Sequence, residues 1–170
     1  MAKNQKKYDF GGWATKFNIK CADGRTIKKE AFAHCDGMVV PLVFNHDHKD
    51  INAVLGNCEL QHRDEGVYAY CSFNNTEDAK NAKEMVTHGD IAALSIYANH
   101  LTQKGDDVIH GDIREVSLVL AGANPGALID NPIMHSEDGT TSVDSDSANI
   151  YHDDEEITLD VVRHSEENPE

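Results

Sequence analysis

The chain reads as a mainly β protein with a few helices: a small, mostly antiparallel β-barrel of about seven strands that carries a flexible, acidic C-terminal tail. Three observations predict this. Short apolar and β-branched runs alternate with turn residues rather than with long helices. Only one segment has a helical period with a cap at each end. The charge is also lopsided: residues 1–134 hold 18 acidic and 14 basic side chains, whereas 135–170 hold 12 acidic and one basic, Arg163. A chain of 170 residues has room for one globular domain and an arm, so the expected division is a domain at 1–134 and a tail at 135–170.

The elements follow in order. A strand over 13–21 closes at Ala22-Asp23-Gly24, and a short helical turn around Ala31 and Phe32 covers 28–34. Strands are expected at 38–45, 53–61 and 67–73. Asn75 or Thr76 then offers a side-chain oxygen as a helix cap, Ala79, Ala82 and Val86 recur at helical spacing, and Gly89 supplies the stop. Further strands at 91–101, 108–110 and 113–120 complete the set, enough to close a small barrel. Beyond 134, Ser, Asp, Glu and Asn dominate up to about Asn149, and burial there cannot offset the entropy of ordering. The apolar patch Ile157, Leu159, Val161 and Val162 suits a short docking element or unstructured chain.

Composition narrows the function. No window approaches the roughly 18 apolar residues of a membrane span, and Lys3, Lys6 and Lys7 precede no apolar stretch of the kind a secretion signal needs. An intracellular protein with no membrane partner is expected. The net charge of −15, with no basic cluster interleaved with aromatics, argues against nucleic-acid binding. Cys21, Cys35, Cys58 and Cys71 lack any CxxC spacing and read as reduced, mostly buried thiols.

Three segments carry chemistry. In Pro41-Leu-Val-Phe-Asn-His46-Asp-His48 two histidines two residues apart share a face at a strand end. That spacing suits a metal, but the third ligand, from Asp47, Cys58 or a distant histidine, is not nominated by the pattern. A neutral imidazole also suits a general base. Ser95 lies in the apolar run Ile91-Ala-Ala-Leu-Ser95-Ile-Tyr-Ala, where a buried hydroxyl needs a partner, and alternation puts it on the face with Ala93 and Tyr97. Glu115, in Arg114-Glu115-Val-Ser-Leu-Val, shares a strand face with Ile113, Ser117 and Val119, and an acid among apolar neighbours calls for a pairing partner such as histidine. From the residues alone a hydrolase, a metal-binding enzyme and a strand protein with ordinary packed polar groups all remain open.

The series Gly12-Trp13-Ala14, Pro41 to His46, Val54-Leu-Gly-Asn57, Leu94-Ser95-Ile96, Arg114 to Val119 and Ala123-Asn-Pro-Gly-Ala127 resembles the Caudovirus prohead serine protease family in order and spacing, over roughly residues 11–130. That family is related in fold to the herpesvirus assemblin proteases. The resemblance implies a serine endopeptidase of capsid maturation, with His46 as general base and Ser95 as nucleophile. Its substrates would be scaffold protein, the arm of the major capsid protein and the protease itself, inside the prohead assembling in the host cytoplasm. It calls for no cofactor and no metal, and assemblin dimerisation suggests a homodimer or higher oligomer. Assemblins use a second histidine as third member; here Glu115 takes that place, with His48 and Asp112 as runners-up. Backbone N–H groups near Ala121 to Asn124 are the expected oxyanion donors, without the arginines that assemblins place there. The rival readings are a non-catalytic scaffold or capsid-assembly component with the same fold, and a metal-dependent hydrolase built on His46 and His48.

Overall fold

Alternating burial turns most of the expected runs into strands of one mixed sheet, seen in a computed structural model that describes residues 8–130 and the backbone of 131–132, 134–135 and 141–142. The first strand, β1 (Phe10–Lys16), is buried at all but its last residue. It ends earlier than expected because Asn18 adopts a left-handed backbone and turns the chain. Next come a two-residue β2 (Thr26–Ile27), a 3-10 helix (Lys29–Cys35) and β3 (Val39–Phe44). A second 3-10 turn (Ile51–Ala53) leads into β4 (Val54–His62) and β5 (Gly66–Phe73).

The one strongly periodic helix, α1 (Glu77–His88), is capped by Thr76, whose hydroxyl accepts from the Ala79 N–H, and ends at a left-handed Gly89. Its Ala79, Ala82 and Val86 are buried in the main core, and the helix packs against β4 and β5. Then follow β6 (Ala93–Lys104) and β7 (Asp107–Val119). The expected strands at 108–110 and 113–120 are thus one. Gly111 does not break it: a Cβ there would lie 2.6 Å from Leu101 Cδ2 and 3.0 Å from Phe32 Cε1, so the glycine admits close packing from both. The short β8 (Ile129–Pro132), β9 (Met134–His135) and β10 (Thr141–Ser142) have no counterpart among the expected elements.

The sheet runs β2-β7-β3-β4-β5-β1-β8, with β6 on the other side of β7 and β9 paired separately with β10. Most pairings are antiparallel, but β2 and β3 both run parallel to β7. The expected closed barrel is corrected to an open mixed sheet. Between β7 and β8 the chain loops through Gly122 and Pro125, and Pro125 has no N–H to continue a ladder. Among the described residues the two ends of the sheet meet locally, through a bridge between Ala93 and Leu128 and the bonds Leu94 N–H to Ala127 O and Ile129 N–H to Ala92 O. Phe10, Phe32, Leu42, Leu60, Leu94, Ile113 and Leu118 are fully buried and form the centre of the core.

All four cysteines are free, and three are buried. Cys58 and Cys71 face each other across β4 and β5, with Sγ atoms 2.6 Å apart. Most of the expected acidic tail, including the Ile157 to Val162 patch, lies outside the described residues.

Candidate active site

The parallel pairing of β3 with β7 positions the first candidate side chain, His46. Leu42, Val43 and Phe44 align with Val116, Ser117 and Leu118, so the chain leaving β3 emerges directly over β7. Asn45 still donates its N–H to Leu118 O, and then Asn45 and His46 both adopt left-handed backbones, with φ of 50° and 54°. Two successive non-glycine residues there cost on the order of 1–3 kcal/mol each. The return is a sharp turn that folds the His46 ring back over the sheet, where its side chain is 4% exposed.

Ser95 and Glu115 come from the antiparallel β6–β7 ribbon. Ser95 lies opposite Ser117, and Tyr97 opposite Glu115. Residues two apart on one strand share a face, so Glu115 and Ser117 rise on the same side. The three sequence-predicted residues meet. His46 Nε2 is 3.0 Å from Ser95 Oγ, and His46 Nδ1 is 2.5 Å from Glu115 Oε1. A carboxylate can only accept, so Nδ1 carries the proton toward Glu115, and the Nε2 lone pair then faces the Ser95 hydroxyl. Ser95 is 5% exposed and Glu115 3%.

Ser117, to which the sequence reading gave no role, completes the arrangement. Its Oγ accepts from the backbone N–H of His46 at 3.0 Å and donates to Glu115 Oε2 at 2.6 Å. One fully buried hydroxyl thus fixes both the strained turn and the carboxylate. The available signal was its period-2 spacing from Glu115.

The runners-up for the third position sit elsewhere. His48 Nε2 lies 3.8 Å from Glu115 Oε1, while its ring packs edge-on against Tyr97 at 4.7 Å. Asp112 binds His34 and His100 and makes no contact with His46 among the described residues. His46, His48 and Glu115 offer donor atoms within 4.8 Å of one another, so Glu115 is the third donor that the His-x-His spacing had not nominated. Cys58 is occupied with Cys71.

Two spaces adjoin the trio. A groove of about 530 Å³ is lined by Pro41, Val43, His48, Val54, Tyr97 and Glu115 among others. A smaller cavity of about 40 Å³ touches Ser95 together with Ala123 and Asn124. The loop carrying Ala123 approaches closely because residue 122 is glycine: a Cβ there would lie 2.9 Å from Leu94 O. No internal hydrogen bond occupies the N–H groups of Gly122, Ala123 or Asn124 among the described residues. The Asn124 side chain anchors this loop, donating to Thr15 Oγ1 and Lys16 O and accepting from the Gly126 N–H.

The profile of the Caudovirus prohead serine protease family matches residues 1–141, a wider span than the quoted motifs cover. The chain belongs to that family. Among solved structures, this prohead protease family member is similar to the KSHV protease in complex with a hexapeptide phosphonate inhibitor, with a TM-score of 0.53 at 13% identity. The alignment covers 70% of this chain and 62% of that one, so the chain spans less than two thirds of the herpesvirus protease it matches. Likeness at such low identity establishes a shared assemblin-like fold. No curated protein sequence matches the chain.

Proposed function

We propose that the protein is a capsid-maturation serine endopeptidase in which Ser95 is the nucleophile, His46 the general base and Glu115 the residue that orients and charges the imidazole. One observation carries the reading: a buried imidazole bridges a serine hydroxyl at 3.0 Å and a carboxylate at 2.5 Å through its two nitrogens. A serine hydroxyl is a weak nucleophile until an adjacent base removes its proton. His46 Nε2 takes that proton as Ser95 Oγ attacks the scissile carbonyl, and returns it to the leaving amine as the peptide bond breaks. A water deprotonated by the same nitrogen then releases the acyl group from Ser95. Glu115 keeps the proton on Nδ1 and stabilises the imidazolium that forms.

The oxyanion donors in this reading are backbone N–H groups of the Gly122 to Asn124 loop, which the small cavity joins to Ser95. Preorganised donors of this kind typically contribute 10²–10³-fold each. Family membership supports scaffold protein and the capsid protein's arm as substrates, with self-cleavage and action inside the assembling prohead. Residues 135–170, with their excess of acidic side chains, would tether the enzyme to a basic partner there.

A serine-directed fluorophosphonate tests the mechanism. Labelling is expected on the parent protein, unchanged by a chelator and abolished by Ser95→Ala. Absence of labelling would favour a non-catalytic assembly role, and chelator-sensitive hydrolysis without labelling would favour a metal hydrolase on His46 and His48.

A further inference from the structure

A second cluster of histidines around a carboxylate lies on β7, three residues before Glu115, and the proteolytic mechanism uses none of it. Asp112 Oδ1 is 2.7 Å from His34 Nε2, and its Oδ2 is 2.7 Å from His100 Nδ1. The His34 and His110 rings stack at 4.7 Å with an interplanar angle of 14°. Three elements deliver these side chains. His34 comes from the last turn of the first 3-10 helix, and His110 and Asp112 stand two apart on β7. His100 belongs to a bulge in β6: Asn99 pairs with Asp112 and Thr102 with His110, leaving two residues of β6 opposite Gly111 alone. His100 itself has a φ of 52°, and the bulge re-aims its ring onto Asp112.

We propose that His34, His110 and Asp112 form a binding site for a divalent transition-metal ion of the Zn²⁺ type, with His100 as the outer partner that orients the carboxylate. The donor atoms of the first three lie within 4.8 Å of one another. Around an ion with bonds of about 2.0–2.1 Å, tetrahedral donors stand roughly 3.3 Å apart. The His34 to Asp112 contact of 2.7 Å therefore opens slightly while the widest pair, no more than 4.8 Å apart, closes by at most about 1.5 Å, which partly exposed side chains can do by rotamer adjustment. Two imidazoles and one carboxylate suit Zn²⁺ better than Mg²⁺ or Ca²⁺, which prefer oxygen. His34 and His110 are exposed, so water can supply the remaining position. Asp112 would bind the ion through Oδ1 while Oδ2 accepts from the His100 N–H, the arrangement by which second partners fix a metal-ligating carboxylate. A bound ion would tie the 3-10 helix to the β6–β7 ribbon that carries Ser95 and Glu115.

Zn²⁺ alone, titrated into the full untagged chain and followed by calorimetry and thermal melting, tests the site. One saturable site is expected, with a rise in Tm of about 5 °C or more in excess metal. Asp112→Asn and His110→Ala should each weaken binding at least about tenfold while leaving the metal-free Tm within about 2 °C. His48→Ala should bind as the parent does. If either variant fails to fold, His34→Gln supplies the same comparison. Three results overturn the proposal: no saturable binding, parent-like binding by the Asp112 and His110 variants, or loss of binding in His48→Ala, which would move the ion to His46, His48 and Glu115.

Discussion

Glu115 and Asp112 lie three residues apart on one strand and each holds an imidazole nitrogen, at 2.5 and 2.7 Å respectively, yet the two sites differ in what surrounds them. Around Glu115 the carboxylate and its histidine are each 4% exposed, and a buried serine takes up the second carboxylate oxygen. Around Asp112 the carboxylate is 33% exposed, and its two histidine partners are 42% and 62% exposed. Water screens the second set and leaves it free to rearrange; the first is held in one geometry with its dipoles fixed. Burial, more than the identity of the residues, separates a rigidly held histidine–carboxylate pair from an adaptable surface cluster.

The largest effect should come from removing the proposed nucleophile. Ser95→Ala is expected to lower cleavage of a scaffold-derived substrate by at least about 10⁴-fold while circular dichroism and Tm stay those of the parent. Asp112→Asn, on the same ribbon, should leave the rate within about twofold. Comparable losses in both variants would dissolve the distinction between the two regions.

Glu115→Gln sharpens it further. The amide can present its NH₂ to Nδ1 and so favour the wrong tautomer, so kcat should fall by about 10²- to 10⁴-fold, less than for Ser95→Ala. If the variant keeps full activity, His46 is oriented by something else.

Ser117→Ala probes the buried hydroxyl that has no counterpart in the exposed cluster. It strands the His46 N–H and frees Glu115 Oε2, so a stability loss of about 1–3 kcal/mol by denaturant unfolding is expected. A drop in kcat of about tenfold should accompany it, with KM nearly unchanged, because this group is fully buried beneath the proposed site. Breaking the exposed His34 and His100 contacts by Asp112→Asn should change stability by less than about 1 kcal/mol, and less still at high salt.

The smallest effect on the rate at neutral pH comes from two groups outside both clusters, which act on stability along the alkaline limb. Burial pushes the Cys21 thiol from 9.0 up to about 12. The hydrogen bond that Tyr8 donates to Glu59 leads a rise of its phenol from 10.0 to about 12. The folded state therefore keeps protons that the unfolded chain releases: their stabilisation is complete below pH 9.0 and is lost as pH rises toward about 12. Melting curves across that interval should show a falling Tm, with a shallower slope in Cys21→Ala.

Much of this was legible in the chain. The strand runs around β3, β4, β5 and β6 and the capped α1 announce themselves through period, cap and stop, because each is long enough for local preference to accumulate. The two-residue β2 and the four-residue β8 are too short to carry a period, and their pairing depends on partners far along the chain. The gap between the expected strands 108–110 and 113–120 holds Gly111, and nothing local says that Leu101 and Phe32 would pack against its missing side chain. The tail's acidity is explicit in the composition, whereas barrel closure is a property of distant edges.

Sequence by itself nominated His46, Ser95 and Glu115, because a lone hydroxyl and a lone acid in apolar strands each need a partner, and family resemblance put all three in one register. Tertiary structure decided how they meet. Only the parallel docking of β3 on β7 and the left-handed turn at Asn45 and His46 bring one ring between Ser95 and Glu115, and only that docking gives Ser117 its role. It also decided that Asp112, chemically so similar to Glu115, gathers a different set of histidines from the 3-10 helix and the β6 bulge. A residue type fixes which proton or lone pair is available; long-range strand pairing, with no local signal, fixes what stands within 3 Å of it.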